Sequence, residues 1–370
     1  MNIHDITFYL FVSVVVIQLI YYGIIFSKFA LAKPQTKPKV KLPVSVIICA
    51  KNEAQNLQNF LPSIITQDYP DFEIVLINDA SSDDTLEIMN KFQKEHKNIK
   101  VVDVQSVEAF WGNKKYALTL GIKSSSYDYL LFTDADCQPL TKDWIGEMTS
   151  YFSDKTSIVI GYGSYKKHSF NFLNLVIRFE TILTAIQYFS YAKLGMPYMA
   201  VGRNLAYKKE IFFKTNGFVS HMKVRSGDDD LFVNEVANKN NTEVCFSKDS
   251  FTESVPETNL KRWFNQKRRH VSTSHHYKTN HKIALGLFYF TQLMFWLLGT
   301  FLLLHLFRWK IVLVLVLLRI SCQYVILGVS AKKLDDTKAI LFMPLLELFL
   351  ILSQFFIFIA NLISKPKHWS

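Results

Sequence analysis

An α/β domain on a largely parallel sheet, flanked by transmembrane helices, is the fold class this sequence predicts, and three observations predict it. Four short apolar runs alternate with helical patterns between Val44 and Phe132, long apolar stretches stand near both ends of the chain, and polar residues gather where the apolar runs stop. Short runs filled with apolar residues read as strands buried on both faces, and strand-helix-strand order implies parallel pairing.

The apolar stretches come first in the chain. Ile6 to Phe26 carries no charge and is about 21 residues long, close to the roughly 20 needed to cross a hydrocarbon core. Ala30-Leu31-Ala32 looks like a signal-peptide cleavage site, but Met1 to Asp5 lacks a basic lead and the apolar run is too long, so a retained span is expected. Ile283 to Leu306, Ile311 to Ser330 and Ala339 to Ile363 are three more segments of spanning length. Lysines 28, 33, 37, 39 and 41 follow the first span, and excess Lys/Arg marks the cytoplasmic side. The expected organisation is residues 1–27 as a transmembrane helix, 28–43 as a basic linker, 44–281 as a cytoplasmic domain and 282–370 as three transmembrane helices. Four spans place the N-terminus and the Lys365, Lys367 tail outside the cell; a re-entrant last segment would relieve that conflict with the charge rule. Arg319 and Glu347 fall inside the last spans, where either an interhelical ion pair or snorkelling to opposite headgroups lowers their cost.

Composition agrees with a multi-pass protein of the cell membrane. The chain is 49% hydrophobic yet 20% charged, too apolar for a purely soluble domain and too charged to lie in lipid throughout. Its net charge of +11 resides largely in runs such as Lys33 to Lys41 and Lys261 to Arg269, each beside a hydrophobic segment. The bilayer, through anionic headgroups, is therefore the expected partner, and nucleic acid is not. The 4 cysteines lie far apart with no CxxC pair, and neither Cys245 nor His275-His276 has metal-ligand spacing.

Within the block, strands are expected at Val44 to Cys49, Phe72 to Ile77, Ile99 to Val102 and Tyr129 to Phe132, with helices over Ala54 to Thr66 and Asp84 to His96. Parallel sheets bind ligands at the carboxyl ends of their strands. The first strand runs into Lys51-Asn52-Glu53, the second into Asn78-Asp79-Ala80-Ser81-Ser82-Asp83-Asp84-Thr85, and the fourth into Thr133-Asp134-Ala135-Asp136. Each alone reads equally as helix capping; three together facing one crevice point to a site. An Asp-x-Asp pair at a strand end offers hard oxygen ligands to Mg²⁺ or Mn²⁺, which commonly bridge carboxylates to substrate phosphates. Phe170 to Lys193 has helical spacing and reads either as an interfacial helix or as a core helix.

Taken in order, Val46 to Glu53, Ile77 to Thr85, Lys114 to Leu118, Asp134-Ala135-Asp136, Gly227-Asp228-Asp229-Asp230 and Gln266-Lys267-Arg268-Arg269 resemble the motif series of the family 2 glycosyltransferases, a group with the GT-A fold that includes cellulose and hyaluronan synthases. The similarity covers most of Val44 to His270. It implies an inverting transfer of sugar from a nucleotide diphosphate sugar, UDP by analogy, to an acceptor hydroxyl. Glu53 and Asp79 would hold base and ribose, Lys114 the nucleotide, Asp134 the ribose, Asp136 the divalent metal and its diphosphate, and Gln266 and Arg269 the diphosphate. Gly202 and Asn204 would border the donor sugar and acceptor. Asp229 would be the general base, with Asp228 second because the three-Asp run leaves the register open. Lys115 is expected to be solvated. His270 stands where the family has tryptophan, which argues against processive synthesis. Trp263, one turn earlier, either compensates or anchors the segment at the membrane interface. A lipid-linked acceptor fits a site bracketed by spans, a processive polysaccharide synthase is the alternative activity, and a silent nucleotide-binding scaffold is the alternative of another class.

Overall fold

The computed structural model describes residues 2–35, 37–38, 41–105, 113–168, 171–224 and 226–364. Lys39 of the linker and Lys365 and Lys367 of the tail lie outside the described residues. Ten strands are present among them: β1 Val44–Ala50, β2 Phe72–Asp79, β3 Ile99–Val104, β4 Tyr129–Phe132, β5 Cys137–Pro139, β6 Ile158–Ile160, β7 Gly163–Tyr165, β8 Leu205–Lys208, β9 Thr242–Val244 and β10 Thr252–Ser254.

Seven form one sheet in the order β3-β2-β1-β4-β8-β6-β9, and three form a small sheet, β5-β10-β7. β1 pairs in parallel with β2, Val44 opposite Phe72 and Ala50 opposite Asn78, and in parallel with β4, Val44 opposite Tyr129. The register lines up the carboxyl ends of β1, β2 and β4 on one edge. β8 runs antiparallel to β4 and β6, so the parallel core stops there. All seven residues of β1 are buried, which is why its apolar run does not alternate.

The helices between strands bury one side each. Leu57, Leu61 and Ile64 from Ala54–Ile65, and Ile88 and Met89 from Thr85–Glu95, pack on one sheet face with Trp144 and Met148. Ala117, Leu118 and Ile122 from Asn113–Ser124 cover the other with the long helix Phe172–Lys193.

Five helical segments are long and apolar enough to cross a membrane: Ile3–Ala30, Phe172–Lys193, Thr279–Leu304, Trp309–Lys333 and Met343–Ile363. The first is longer than the sequence suggests and passes through a π-helical stretch, Tyr21–Phe26. Phe172–Lys193 differs from the rest: 61% of its apolar window is buried, against 22–39% for the other four. It packs between the seven-stranded sheet and the membrane-type bundle and pairs Arg178 with buried Asp336, so of the two readings the core helix is the one observed. Met343–Ile363 is one continuous helix, with no re-entrant break. Phe11 and Val15 of the first helix pack on Phe295, Leu302 and Val312, while Leu10, Phe290, Val314, Leu318, Leu352 and Phe356 face outward, the pattern expected of helices solvated by lipid.

The bundle is fastened to the sheet domain at its base. Lys333 donates to the carbonyls of Phe29, Ala30 and Ala32, and Asp335 accepts Lys167 and Lys248 from the sheet domain.

Candidate active site

Two tight turns open the crevice. Asn52 and Ala80, just beyond β1 and β2, adopt φ of 56° and 51°, the left-handed region in which a side chain is uncommon outside turns. They are stitched together: the Asn52 side-chain oxygen accepts the Ser82 N–H at 2.8 Å, and the Asn52 N–H reaches Ser81 Oγ at 3.0 Å. Asp83 accepts Thr85 N–H and Oγ1 and the Ala54 N–H, so it braces the two helix starts, as a capping residue would.

Glu53 and Asp79 are left facing the crevice. Glu53 accepts Asn56 Nδ2 at 2.6 Å; burial first, then Asp136, Asp134 and Asp83, push its carboxyl up to about 7. Asp79 is buried at 3% exposure, and its Oδ2 has no hydrogen-bond partner among the described residues. An unpaired buried carboxylate oxygen is costly, and a ligand hydroxyl or imide is the natural group to satisfy it.

Across β4, Lys114 forms ion pairs with Asp134 at 3.2 Å and Asp228 at 3.1 Å. Burial opposes its charge, but these carboxylates overcome that and hold the ammonium well above its ordinary pKa. Lys114 thus ties the Asp-x-Asp strand end to the three-Asp run. Lys115 is not solvated: it is buried, donates to the carbonyls of His221 and Val224 at 2.8 and 2.9 Å, and is lowered to about 8 chiefly by burial. Successive helix residues point about 100° apart, so one lysine reaches the crevice and its neighbour the core.

The metal expectation meets a suitable donor set. Ligand atoms of Asp134, Asp136 and Cys137 lie within 4.8 Å of one another. Burial, then Asp134, raises Asp136 to about 6, the signature of crowded carboxylates that a cation would relieve. The two carboxylates offer hard oxygens that fit Mg²⁺ or Mn²⁺, and the soft Cys137 sulfur is not needed for such an ion.

The three aspartates separate by environment. Gly227, at φ 95°, turns the chain into them. Asp228 is held low because Lys114 outweighs its burial. Asp229 caps the helix Asp230–Val236, its Oδ1 accepting the Asp230 N–H at 2.7 Å, and its Oδ2 accepts the Gly202 N–H at 2.6 Å. Burial, then Asp228 and Asp230, push Asp229 up to about 7. Asp230 turns away, accepting Thr273 Oγ1 at 2.5 Å and Tyr277 OH at 2.6 Å. The helix-start reading and the base reading therefore coexist at Asp229, a half-buried carboxylate with a pKa suited to proton uptake near neutrality.

Gly202 approaches Asp229 so closely that a Cβ there would stand 3.3 Å from Oδ2. Asn204, two residues on, does not face the crevice and the sugar expectation for it is corrected. It is fully buried, accepts Trp144 Nε1 at 3.0 Å, and donates to the carbonyls of Tyr162 and Ser250; both N–H donors are engaged in the core.

The Gln266 to His270 segment lies on the helix Leu260–Thr273. Lys267 pairs with Glu180 at 2.8 Å, and Arg268 caps the last helix through Ala360, Asn361 and Ser364. Gln266 and Arg269 are half-buried, with no side-chain hydrogen bond among the described residues, and burial lowers Arg269 while Glu257 opposes this. His270 is within electrostatic reach of Lys114 and Arg203, which puts it beside the crevice. Trp263 takes neither expected role; it is buried, its ring 6.1 Å from that of Phe349. Sequence reasoning gave no role to Thr133, whose buried Oγ1 lacks a partner among the described residues, or to Arg203, discussed below.

Residues 45–226 match the Glycosyl transferase family 2 model. A poly-beta-1,6-N-acetyl-D-glucosamine synthase of Staphylococcus epidermidis is 40% identical over 93 residues, 25% of this chain and 21% of that protein. An uncharacterized glycosyltransferase of Haemophilus influenzae is 31% identical over 145 residues, 39% of this chain and 41% of that one. The match thus spans a fifth to two fifths of these relatives' length. Among solved structures, a mannosyltransferase from Pyrobaculum calidifontis in complex with GDP-Man and Mn²⁺ superposes with a TM-score of 0.60 at 16% identity, covering 90% of this chain and 99% of that one. That likeness is one of fold. With Lys114, Asp134, Asp228 and Asp229 lining one crevice, residues 45–226 are a family 2 glycosyltransferase domain on a sheet of GT-A-like fold, joined to helices that fit a membrane.

Proposed function

We propose that the protein transfers a sugar from a UDP-sugar to a hydroxyl of a membrane-borne, lipid-linked acceptor, with inversion, from a cytoplasmic catalytic domain. The observation that carries this reading is Asp229, half-buried, raised to about 7, fixed by the Gly202 and Asp230 N–H groups and lining the same pocket as Asp134.

Asp229 takes the proton of the acceptor hydroxyl. The acceptor oxygen forms the new bond to the anomeric carbon as the bond to the diphosphate oxygen breaks, and the nucleoside diphosphate leaves with that electron pair. Glu53 and Asp79 orient the nucleoside through charge-assisted hydrogen bonds, and Lys114 and Arg269 complement the diphosphate. Asp136, with Asp134 beside it, would hold a divalent cation, which would supply charge stabilisation to the departing diphosphate.

The acceptor reading rests on position: the helix Leu260–Thr273, which carries Gln266 and Arg269, leads through the short turn Ser274–His276 into the apolar helix Thr279–Leu304. Processive synthesis is the rival, favoured by the name of the staphylococcal relative and opposed by His270 at the family's tryptophan position. A panel of nucleotide sugars offered to the purified protein with Mn²⁺, read as nucleotide release and product length, tests both. UDP-sugars giving single-sugar products are expected; better use of GDP-sugars, or long polymer, overturns the corresponding part. Orientation is tested by placing a cysteine at Asp154 in intact cells, where labelling by an impermeant reagent contradicts a cytoplasmic domain.

A further inference from the structure

Arg203 stands between two residues whose partners are fixed, Gly202 on Asp229 and Asn204 in the core. Its guanidinium lies over the Tyr165 ring, with Cζ 4.2 Å from the centroid, and Nη1 donates to Ser164 O at 3.2 Å and Ser254 Oγ at 3.3 Å. Gly163 leaves it room: a Cβ there would come within 3.3 Å of Nε and 3.4 Å of Cζ. The group is therefore pre-set before any ligand arrives. Among the described residues it makes no ion pair, and its Nε and Nη2 edge makes no hydrogen bond. That edge is the fork which matches two oxygens of a phosphate or carboxylate.

Its surroundings say which anion. Ser254 Oγ also contacts Cys137 Sγ at 2.8 Å, which in turn contacts Asp136 Oδ1 at 3.3 Å, so the guanidinium sits near the metal-ligating carboxylate without pairing to it. Once a cation occupies Asp136, Arg203 needs negative charge from another source. The nucleoside side of the crevice, Glu53 and Asp79, follows β1 and β2, whereas Arg203 precedes β8 on the far side of β4. It adjoins Gly202, the residue that holds the proposed base, and its platform β7 packs on the helix Phe172–Lys193 that faces the membrane bundle.

We propose that Arg203 is the oxyanion subsite for the acceptor, gripping a phosphate or carboxylate carried near the attacking hydroxyl. This rests on the transferase reading above. The experiment compares full-length wild type, Arg203→Gln and Arg203→Lys in detergent with Mn²⁺, measuring UDP affinity by calorimetry and KM for a polyprenyl phosphate, a glucuronate-bearing disaccharide and a neutral disaccharide. Arg203→Gln is expected to raise KM for one anionic acceptor about 10- to 100-fold, the size of a lost bidentate charged contact, with UDP affinity within about two-fold of wild type and only partial recovery in Arg203→Lys. Which anionic acceptor responds tells phosphate from carboxylate. Unchanged acceptor KM, a wild type indifferent to acceptor charge, or a loss confined to UDP binding overturns the proposal. A wild type that binds no UDP defeats the underlying transferase reading instead. Melting temperatures of both variants separate loss of contact from loss of fold, and an Arg203→Lys that melts like wild type yet loses nothing also overturns the subsite.

Discussion

Arg319 and Glu347 form an ion pair between two membrane-type helices, Nη2 to Oε1 at 2.5 Å and Nη1 to Oε2 at 2.8 Å, with both side chains buried. Of the two arrangements open to such charges, pairing is the one observed. The pair is held on several sides: Gln323 and Gln18 accept from Arg319, and Gln292, Gln323 and Trp296 donate to Glu347, while Arg319 Nε has no partner among the described residues. Four helices meet at this one hub. Removing one partner leaves a buried charge and costs about 3–5 kcal/mol, whereas replacing both with apolar groups costs far less. Arg319→Met and Glu347→Leu should each melt well below wild type in detergent, with the double variant recovering most of the loss. Additive losses in the double variant would show that the charges act separately.

Asn204 gives a second test, because burial and ligand contact predict opposite phenotypes. Asn204→Leu strands the Trp144 indole N–H and the Ser250 carbonyl, while the Tyr162 carbonyl keeps the Thr252 N–H, each unsatisfied group costing about 1–3 kcal/mol. A clear drop in melting temperature is expected, together with lost activity as the Gly202 turn shifts. A variant that melts normally and shows only a higher donor KM would restore the sugar-contact role.

The parts of the fold legible in the sequence are those with strong local signals. β1 to β4 and the helices Ala54–Ile65 and Thr85–Glu95 follow from apolar runs and helical spacing, and their boundaries moved by at most two residues. β5 to β10 are strands of three or four residues, too short for a period to emerge, and their pairing is set by tertiary context. Glu53, Asp79, Lys114, Asp134, Asp136, Asp228 and Asp229 are carried to one crevice because strand ends and a tight turn place them there. Lys115 and Asn204 were misjudged for a shared reason. Their partners, His221, Val224, Trp144, Tyr162 and Ser250, are remote in sequence, so nothing local distinguishes a buried polar group from a solvated or ligand-binding one. Asp230 belongs with them, since its tie to Thr273 and Tyr277 is invisible in a run of three identical residues.

The metal prediction follows from Asp136. Transfer should stop in chelator and return with Mn²⁺ or Mg²⁺. Asp136→Ala removes a hard oxygen ligand, so Mn²⁺ affinity measured by electron paramagnetic resonance in the presence of UDP should fall at least roughly ten-fold. Unaltered Mn²⁺ binding by this variant would move the metal elsewhere in the crevice.

The last prediction joins activity to stability at Asp229. Its carboxyl is raised to about 7 by burial, then by Asp228 and Asp230, against the pull of Lys114 and the Asp230 N–H. A base works only when ionised, so turnover should climb about ten-fold per pH unit below 7 and level off above it. Asp228→Asn removes the larger of the two repelling charges and should move that limb to lower pH. Asp229→Asn should lack the limb and lose about 10²–10⁴ in turnover while keeping UDP affinity; Asp79→Asn should instead weaken UDP binding, because a charge-assisted contact is lost. Stability runs the other way. Since the folded pKa lies above the unfolded one, the unfolded chain releases its proton first, and stability from this group is lost as pH rises from about 4 through about 7. Asparagine pays no such penalty, so Asp229→Asn should melt higher than wild type at pH 8 and gain nothing at pH 4. A carboxylate kept at the cost of stability at the pH where it works is what a base requires. Asp229→Asn melting no higher than wild type at pH 8, with the turnover limb intact in that variant, would remove Asp229 from the proton-transfer step.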